Sequence, residues 1–121
     1  GPPRDLHTSP PRRSSDLTHP DHFASALGNL LDNALRHGGE QPVRLRLGRG
    51  PAGRLQIDVT DHGPGIPEAI RPRLFERFFT TERDRGGTGL GLAIVRALAE
   101  ARGGSISFTS DPAGTTFTLI L

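Results

Sequence analysis

A chain of 121 residues, 33% of them apolar, with fifteen basic and thirteen acidic side chains, fits one compact domain with some unstructured sequence beside it. It has no Cys, which excludes disulfides and thiolate metal sites, and no run reaches the roughly 18–20 apolar residues that span a bilayer. The formal net charge is only +2, the basic residues are all Arg spread along the chain, and the six aromatics are all Phe, which argues against a nucleic-acid partner.

Residues 1–20 hold five prolines and almost no apolar side chains, so they read as a linker or disordered arm, with Gly1-Pro2 as a tag-cleavage scar. A chain without Met reads as part of a longer protein. From Asp21 to His37 the apolar positions Phe23, Leu27, Leu30, Leu31, Ala34 and Leu35 repeat as one face of a helix. Asp21 is placed to cap it and Gly38-Gly39 to stop it. Val43, Leu45 and Leu47 alternate with arginines, which predicts a strand with one wet face. After the turn "GRGPAG", Leu55, Ile57 and Val59 predict a second strand that ends at Asp61, the two forming a hairpin.

"DHGPGIP" is a loop by composition, and residues 68–75 predict a short helix interrupted at Pro72. Residues 80–88 read as a polar, glycine-ended lid. Leu90, Ala93, Ile94, Ala97, Leu98 and Ala101 predict a second long helix with Thr88 as its cap, ended by Gly103-Gly104. Ile106 and Phe108, then Phe117, Leu119 and Leu121, make two strands around "DPAG". Helix, hairpin, helix, hairpin gives an α+β two-layer α/β sandwich with a mixed sheet covered on one face by helices.

The stretch "GGTGLGL" allows backbone to approach a ligand ahead of a helix N-terminus, where free N–H groups and a partial positive charge favour phosphate. It is not a Walker loop or a protein-kinase fold, because both need a Lys and the chain has none. Its spacing also fails the dinucleotide fingerprint. Taken alone, it reads equally as a phosphate cradle or a flexible hinge.

Three further segments bear on that choice. In "NLLDNA", Asn29 and Asn33 stand at i, i+4, so their amides share one helix face with Arg36 a turn below and His37 beside it. Amides offer oxygen to a hard cation and N–H to phosphate, although an isolated Asn pair more often marks a solvated face. In "DHGPGIP", Asp61 at a strand end is placed to accept from an exocyclic amine while Gly63 and Gly65 turn the backbone around it. An ordinary Asp-Gly turn is the plain alternative. In "FERFF", Phe75 to Phe79, core packing is the plain reading.

Taken in order, these four segments resemble the asparagine, first glycine, phenylalanine and second glycine boxes of the ATP-binding catalytic domain of sensor histidine kinases. That domain belongs to the wider gyrase, Hsp90, histidine kinase and MutL superfamily, and the resemblance covers residues 21–121. It implies the Bergerat fold, ATP and Mg²⁺ as ligands, and bacterial two-component signalling. It implies that Asn33 holds Mg²⁺ between the ATP phosphates, that Asn29 lies beside them, and that Arg36 contacts phosphate. Asp61 would accept from the adenine amine, with Gly63, Gly65, Ile66 and Phe75 shaping the pocket. Gly87, Thr88, Gly89, Leu90, Gly91 and Leu92 would wrap the phosphates, and Thr116, or Thr115 beside it, would assist Asp61. His37 and His62 would line the pocket, and Arg77 and Arg83 would steady the transferring charge.

The resemblance also implies a reaction. The superfamily's ATPases carry Glu where Asn29 stands, and Asn cannot take a proton from water. ATP would therefore be held for transfer of its γ-phosphoryl group to a His on a separate dimerisation domain, with a response regulator downstream. No His-bearing phosphoacceptor box is present in this chain, so the fragment would not phosphorylate itself. It would be monomeric and cytoplasmic, with a parent that could be anchored in the inner membrane. A degenerate nucleotide-sensing or interaction module without kinase activity is the competing expectation. Residues 4–19 lack the alternation of the strand that precedes this helix in the family, so that edge of the sheet is unassigned.

Overall fold

The computed structural model describes residues 20–80 and 89–121. The elements run α1 (Pro20–His37), β1 (Arg44–Arg49), β2 (Leu55–Asp61), α2 (Gly91–Ala101), β3 (Ser105–Asp111) and β4 (Gly114–Ile120), with short 3-10 turns at Pro51–Gly53 and Glu68–Arg73. Residues 1–19 and 81–88, and with them the expected arm, most of the lid, and the residues Arg83, Gly87 and Thr88, lie outside the described residues.

The strand order is β1-β2-β4-β3. Every pairing among the described residues is antiparallel, where a mixed sheet was expected. The reason is local: β1–β2 and β3–β4 are hairpins, and the two hairpins join through β2 and β4. A parallel neighbour would have to be a strand outside these four. Both helices lie on one face, α1 over β2 and α2 over β3. The two-layer sandwich is the one the sequence predicts.

The core sits between these layers. α1 contributes Ala26, Leu30 and Ala34, α2 contributes Val95, Leu98 and Ala99, and the sheet contributes Ile57, Val59, Phe117 and Leu119. Full burial of such a Leu, Ile or Phe is worth about 1.5–3 kcal/mol. Phe117 also meets the rings of Phe75 and Phe108 at 6.2 and 5.8 Å between centroids. The opposite sheet face is polar: Thr118 Oγ1 donates to Asp58 at 2.7 Å, and the Thr60 and Thr116 hydroxyls bond at 2.9 Å.

Three expectations change here. β1 is exposed on both faces, with Leu45 at 43% and Leu47 at 64%, because it lies at the sheet edge beyond the cover of the helices. Leu35 is 69% exposed, one residue round the helix from buried Ala34. In α2 the buried line is Val95, Leu98 and Ala99, while Ile94 is 40% exposed. Arg96 and Glu100, at i, i+4, mark the outward side of that helix, and Ile94 and Ala97 are exposed as well.

Candidate functional site

The register of the sheet brings the site into being. On the helix-covered face, Ile57 pairs with Leu119 and Val59 with Phe117, and the next pair along is Asp61 with Thr115. Two apolar rows thus end in a polar one at the edge of the core. Asp61 and Thr115 are each only 4% exposed. Asp61 Oδ1 accepts from Gly63 N at 2.9 Å and from Thr115 N at 3.2 Å. Its Oδ2 receives no hydrogen bond among the described residues. Asp61 lines a cavity, so this second oxygen keeps its acceptor capacity for a donor brought by a ligand.

The loop after β2 is shaped by two glycines. A Cβ at Gly63 would run into the carbonyl of His37, so this glycine lets the loop lie against the end of α1. Gly65 has φ +89°, and a Cβ there would collide with the carbonyl of Asp111 in the β3–β4 hairpin.

A cavity of about 490 Å³ opens beside this edge. Asp61, Gly65, Ile66, Ile70, Leu74, Thr115 and Phe117 line it. Asn29, Asp32, Asn33, Arg36, His37, Gly89, Gly91 and Leu92 line it as well. Arg36 Nε is paired with Asp32 at 2.9 Å one helical turn away, on the exposed rim. The first turn of α2 lies next to Asn29, since a Cβ on Gly91 would stand 3.6 Å from Asn29 Oδ1. The free N–H groups of that turn add a partial positive charge near the Asn29 amide. Phe78 N donates to Gly89 O at 2.6 Å, joining the backbone on either side of residues 81–88.

Most of the sequence-predicted site residues therefore meet in one place: Asn29, Asn33, Arg36, Asp61, Gly65, Ile66, Gly89, Gly91 and Leu92. Others are placed differently. Phe75 is outside the cavity lining and packs on Phe108 and Phe117. Gly63 acts from behind, through its N–H to Asp61. Leu90 holds the N-cap position of α2 and His62 is exposed, neither in the cavity lining. Thr116 points to the outer face and bonds Thr60, so Thr115 occupies the place assigned to it. The parity of β4 carried this signal, since Thr115 shares a face with Phe117 and Leu119. Arg77 lies outside the cavity, its guanidinium 5.3 Å from the Phe78 ring centre.

The arrangement suits a flat ring with an amine donor at one end and an anionic group at the other. Among the described residues no group of three or more His, Cys, Asp or Glu side chains is gathered to hold a cation. The Asn33 amide oxygen is a hard ligand that fits Mg²⁺ only as a partner to other oxygens, such as those of phosphates.

Comparison with known proteins agrees with this geometry. A family profile described as histidine kinase-, DNA gyrase B- and HSP90-like ATPase matches residues 18–121. The chain belongs to that ATPase family. It is 42% identical over 100 residues to the sensor protein DivL of Caulobacter vibrioides, covering 79% of this chain and 12% of DivL. It is 43% identical over 98 residues to the sensor histidine kinase component HK1 of Mycobacterium tuberculosis, covering 78% of this chain and 56% of HK1. The crystal structure of full-length ShkA in complex with AMPPNP superposes with a TM-score of 0.72 at 33% identity, over 81% of this chain and 20% of ShkA. The chain thus spans about half or less of the length of these relatives and corresponds to one domain of each. Among the described residues no helix is long and apolar enough to cross a membrane.

Proposed function

We propose that this domain binds ATP together with Mg²⁺ and presents the γ-phosphoryl group to a histidine on a separate helical domain of a two-component sensor kinase. The observation that carries the reading is the Asp61 carboxylate, 4% exposed, with Oδ1 held by two backbone N–H groups, Oδ2 without a hydrogen bond among the described residues, and the residue itself in the cavity lining. An adenine ring seated against Ile66, Ile70, Leu74 and Phe117 would present its exocyclic amine to that oxygen. The phosphates would then lie between Asn29, Asn33 and the first turn of α2, within reach of Arg36. The similarity to ShkA, whose crystal structure is of a complex with AMPPNP, supports ATP as the ligand.

ATP supplies the phosphoryl group, and the residues of this chain bind, orient and neutralise. Asn33 would share Mg²⁺ with the phosphate oxygens. Arg36 would exchange its Asp32 partner for phosphate, an exchange that costs little because a rim ion pair between exposed side chains is worth about 0–1 kcal/mol. Asn29 stands where a proton acceptor for water would be needed for hydrolysis, and it has none to offer. The γ-phosphoryl group would therefore wait for an imidazole nitrogen in line with it.

Calorimetric titration with ADP and a non-hydrolysable ATP analogue, with and without Mg²⁺, tests the binding half of this reading. Saturable binding that strengthens with Mg²⁺ for the triphosphate is the expected result. A folded chain that binds neither nucleotide refutes it.

A further inference from the structure

The loop between β2 and the Glu68–Arg73 turn is fastened to the β3–β4 hairpin by two side chains that the chemistry above leaves unused. Ile66 N donates to Ser110 Oγ at 2.8 Å, and Ser110 Oγ lies 2.7 Å from Thr115 Oγ1. Arg71 crosses the same seam, donating from Nε to Ile66 O at 3.0 Å and from Nη2 to Ser110 O at 3.3 Å. Ile66 is thus gripped at both its N–H and its C=O. Thr115, in turn, holds Asp61 Oδ1 through its backbone N–H. A continuous path runs from Arg71 through Ile66, Ser110 and Thr115 to Asp61.

The protons on this path are few. Ser110 accepts from Ile66 and has one proton to give; Thr115 has one as well. One of the two hydroxyl protons fills the bond between them, so the direction of the Thr115 hydroxyl beside Asp61 is tied to Ser110. Among the described residues none of these groups hydrogen-bonds to Asn29 or Asn33.

We propose that Ser110 and Arg71 are positioning residues of the nucleotide site: they set the Gly65–Pro67 loop against the Asp61–Thr115 pair and so fix the end that reads the base, leaving the phosphate end alone. This rests on the nucleotide reading above. Loosening the clamp lowers the preference for a ring that carries an exocyclic amine, whereas a general loss of structure weakens all ligands alike.

The test compares the wild-type chain with Ser110→Ala, Ser110→Thr and Arg71→Ala. Each is titrated with ADP and with inosine diphosphate, which lacks the amine, and amide hydrogen exchange at Ile66 is followed without ligand. Ser110→Ala should lose about five- to tenfold in ADP affinity, the worth of one hydrogen bond, with less than about twofold change for inosine diphosphate. Ile66 exchange should quicken by a similar factor while Val59 is unaffected. Arg71→Ala should do the same, and Ser110→Thr, which keeps the hydroxyl, should restore both readouts. Equal losses for both ligands, or unchanged ADP affinity and Ile66 exchange, would overturn the proposal. A wild-type chain that binds no ADP would refute the nucleotide reading and this role together; one that binds ADP while Ser110→Ala matches it would refute this role alone.

Discussion

Replacing Asp61 by Asn separates recognition from folding. Oδ1 accepts two backbone N–H groups, at 2.9 and 3.2 Å, and an amide oxygen can keep both. The amide nitrogen then falls where Oδ2 was, so a donor faces the donor that adenine would bring. Losing a hydrogen bond to a charged group costs about 1.5–3 kcal/mol, or about 10- to 150-fold in affinity at 1.4 kcal/mol per tenfold. Asp61→Ala is a poorer probe: it strands two buried N–H groups at about 1–3 kcal/mol each, against a total stability of about 5–15 kcal/mol for a domain. Calorimetric titration with ADP should show the loss in Asp61→Asn, and chemical denaturation should show a midpoint close to that of the wild type. If folded Asp61→Asn binds ADP within about threefold of wild type, the carboxylate does not read the base and the argument from its free oxygen fails.

Other expectations follow from single contacts. Asn33→Ala should remove most of the Mg²⁺ dependence of ATP-analogue binding while leaving ADP binding without metal near wild type, measured by paired titrations. Arg54 Nη1 donates to Arg102 O and Leu121 O, both at 3.2 Å, tying the start of β2 to the end of α2 and the last strand; Arg54→Ala should cost about 1–2 kcal/mol and lower the thermal midpoint by several degrees. Phe117 is 2% exposed at the centre of the ring cluster, and Phe117→Ala should cost about 3–5 kcal/mol in urea denaturation. Leu47, 64% exposed, should tolerate Leu47→Thr within about 0.5 kcal/mol by the same assay.

The parts of the site that could be read in advance are those where one element carries them. Asn29, Asn33 and Arg36 share a face because one helix spaces them at i, i+4, i+7, and Asp61 ends a strand whose alternation was plain. In α2 the signal was present in Arg96 and Glu100, which at i, i+4 mark the outward side opposite Val95, Leu98 and Ala99, but the run of apolar positions through Ala93, Ile94 and Ala97 set the phase instead. Thr115 was readable from the parity of Phe117 and Leu119, yet its neighbour Thr116 is chemically identical and drew the assignment. Ser110 and Arg71 left no local signal: Ser110 meets Ile66 across 44 positions and Arg71 meets Ser110 across 39. The exposure of Leu45 and Leu47 depends on where the two helices lie, which no strand pattern contains.

The central claim is that nucleotide is held here for transfer and not for hydrolysis. Incubating the chain with ATP labelled in the γ-phosphoryl group, alone and with the histidine-bearing domain of a sensor kinase related to it, tests this directly. The account predicts negligible steady-state release of phosphate by the chain alone and acid-labile label on the histidine domain when both are present. Sustained release of phosphate by the chain alone, with no label on the histidine domain, would contradict it and make this an ATPase despite Asn29.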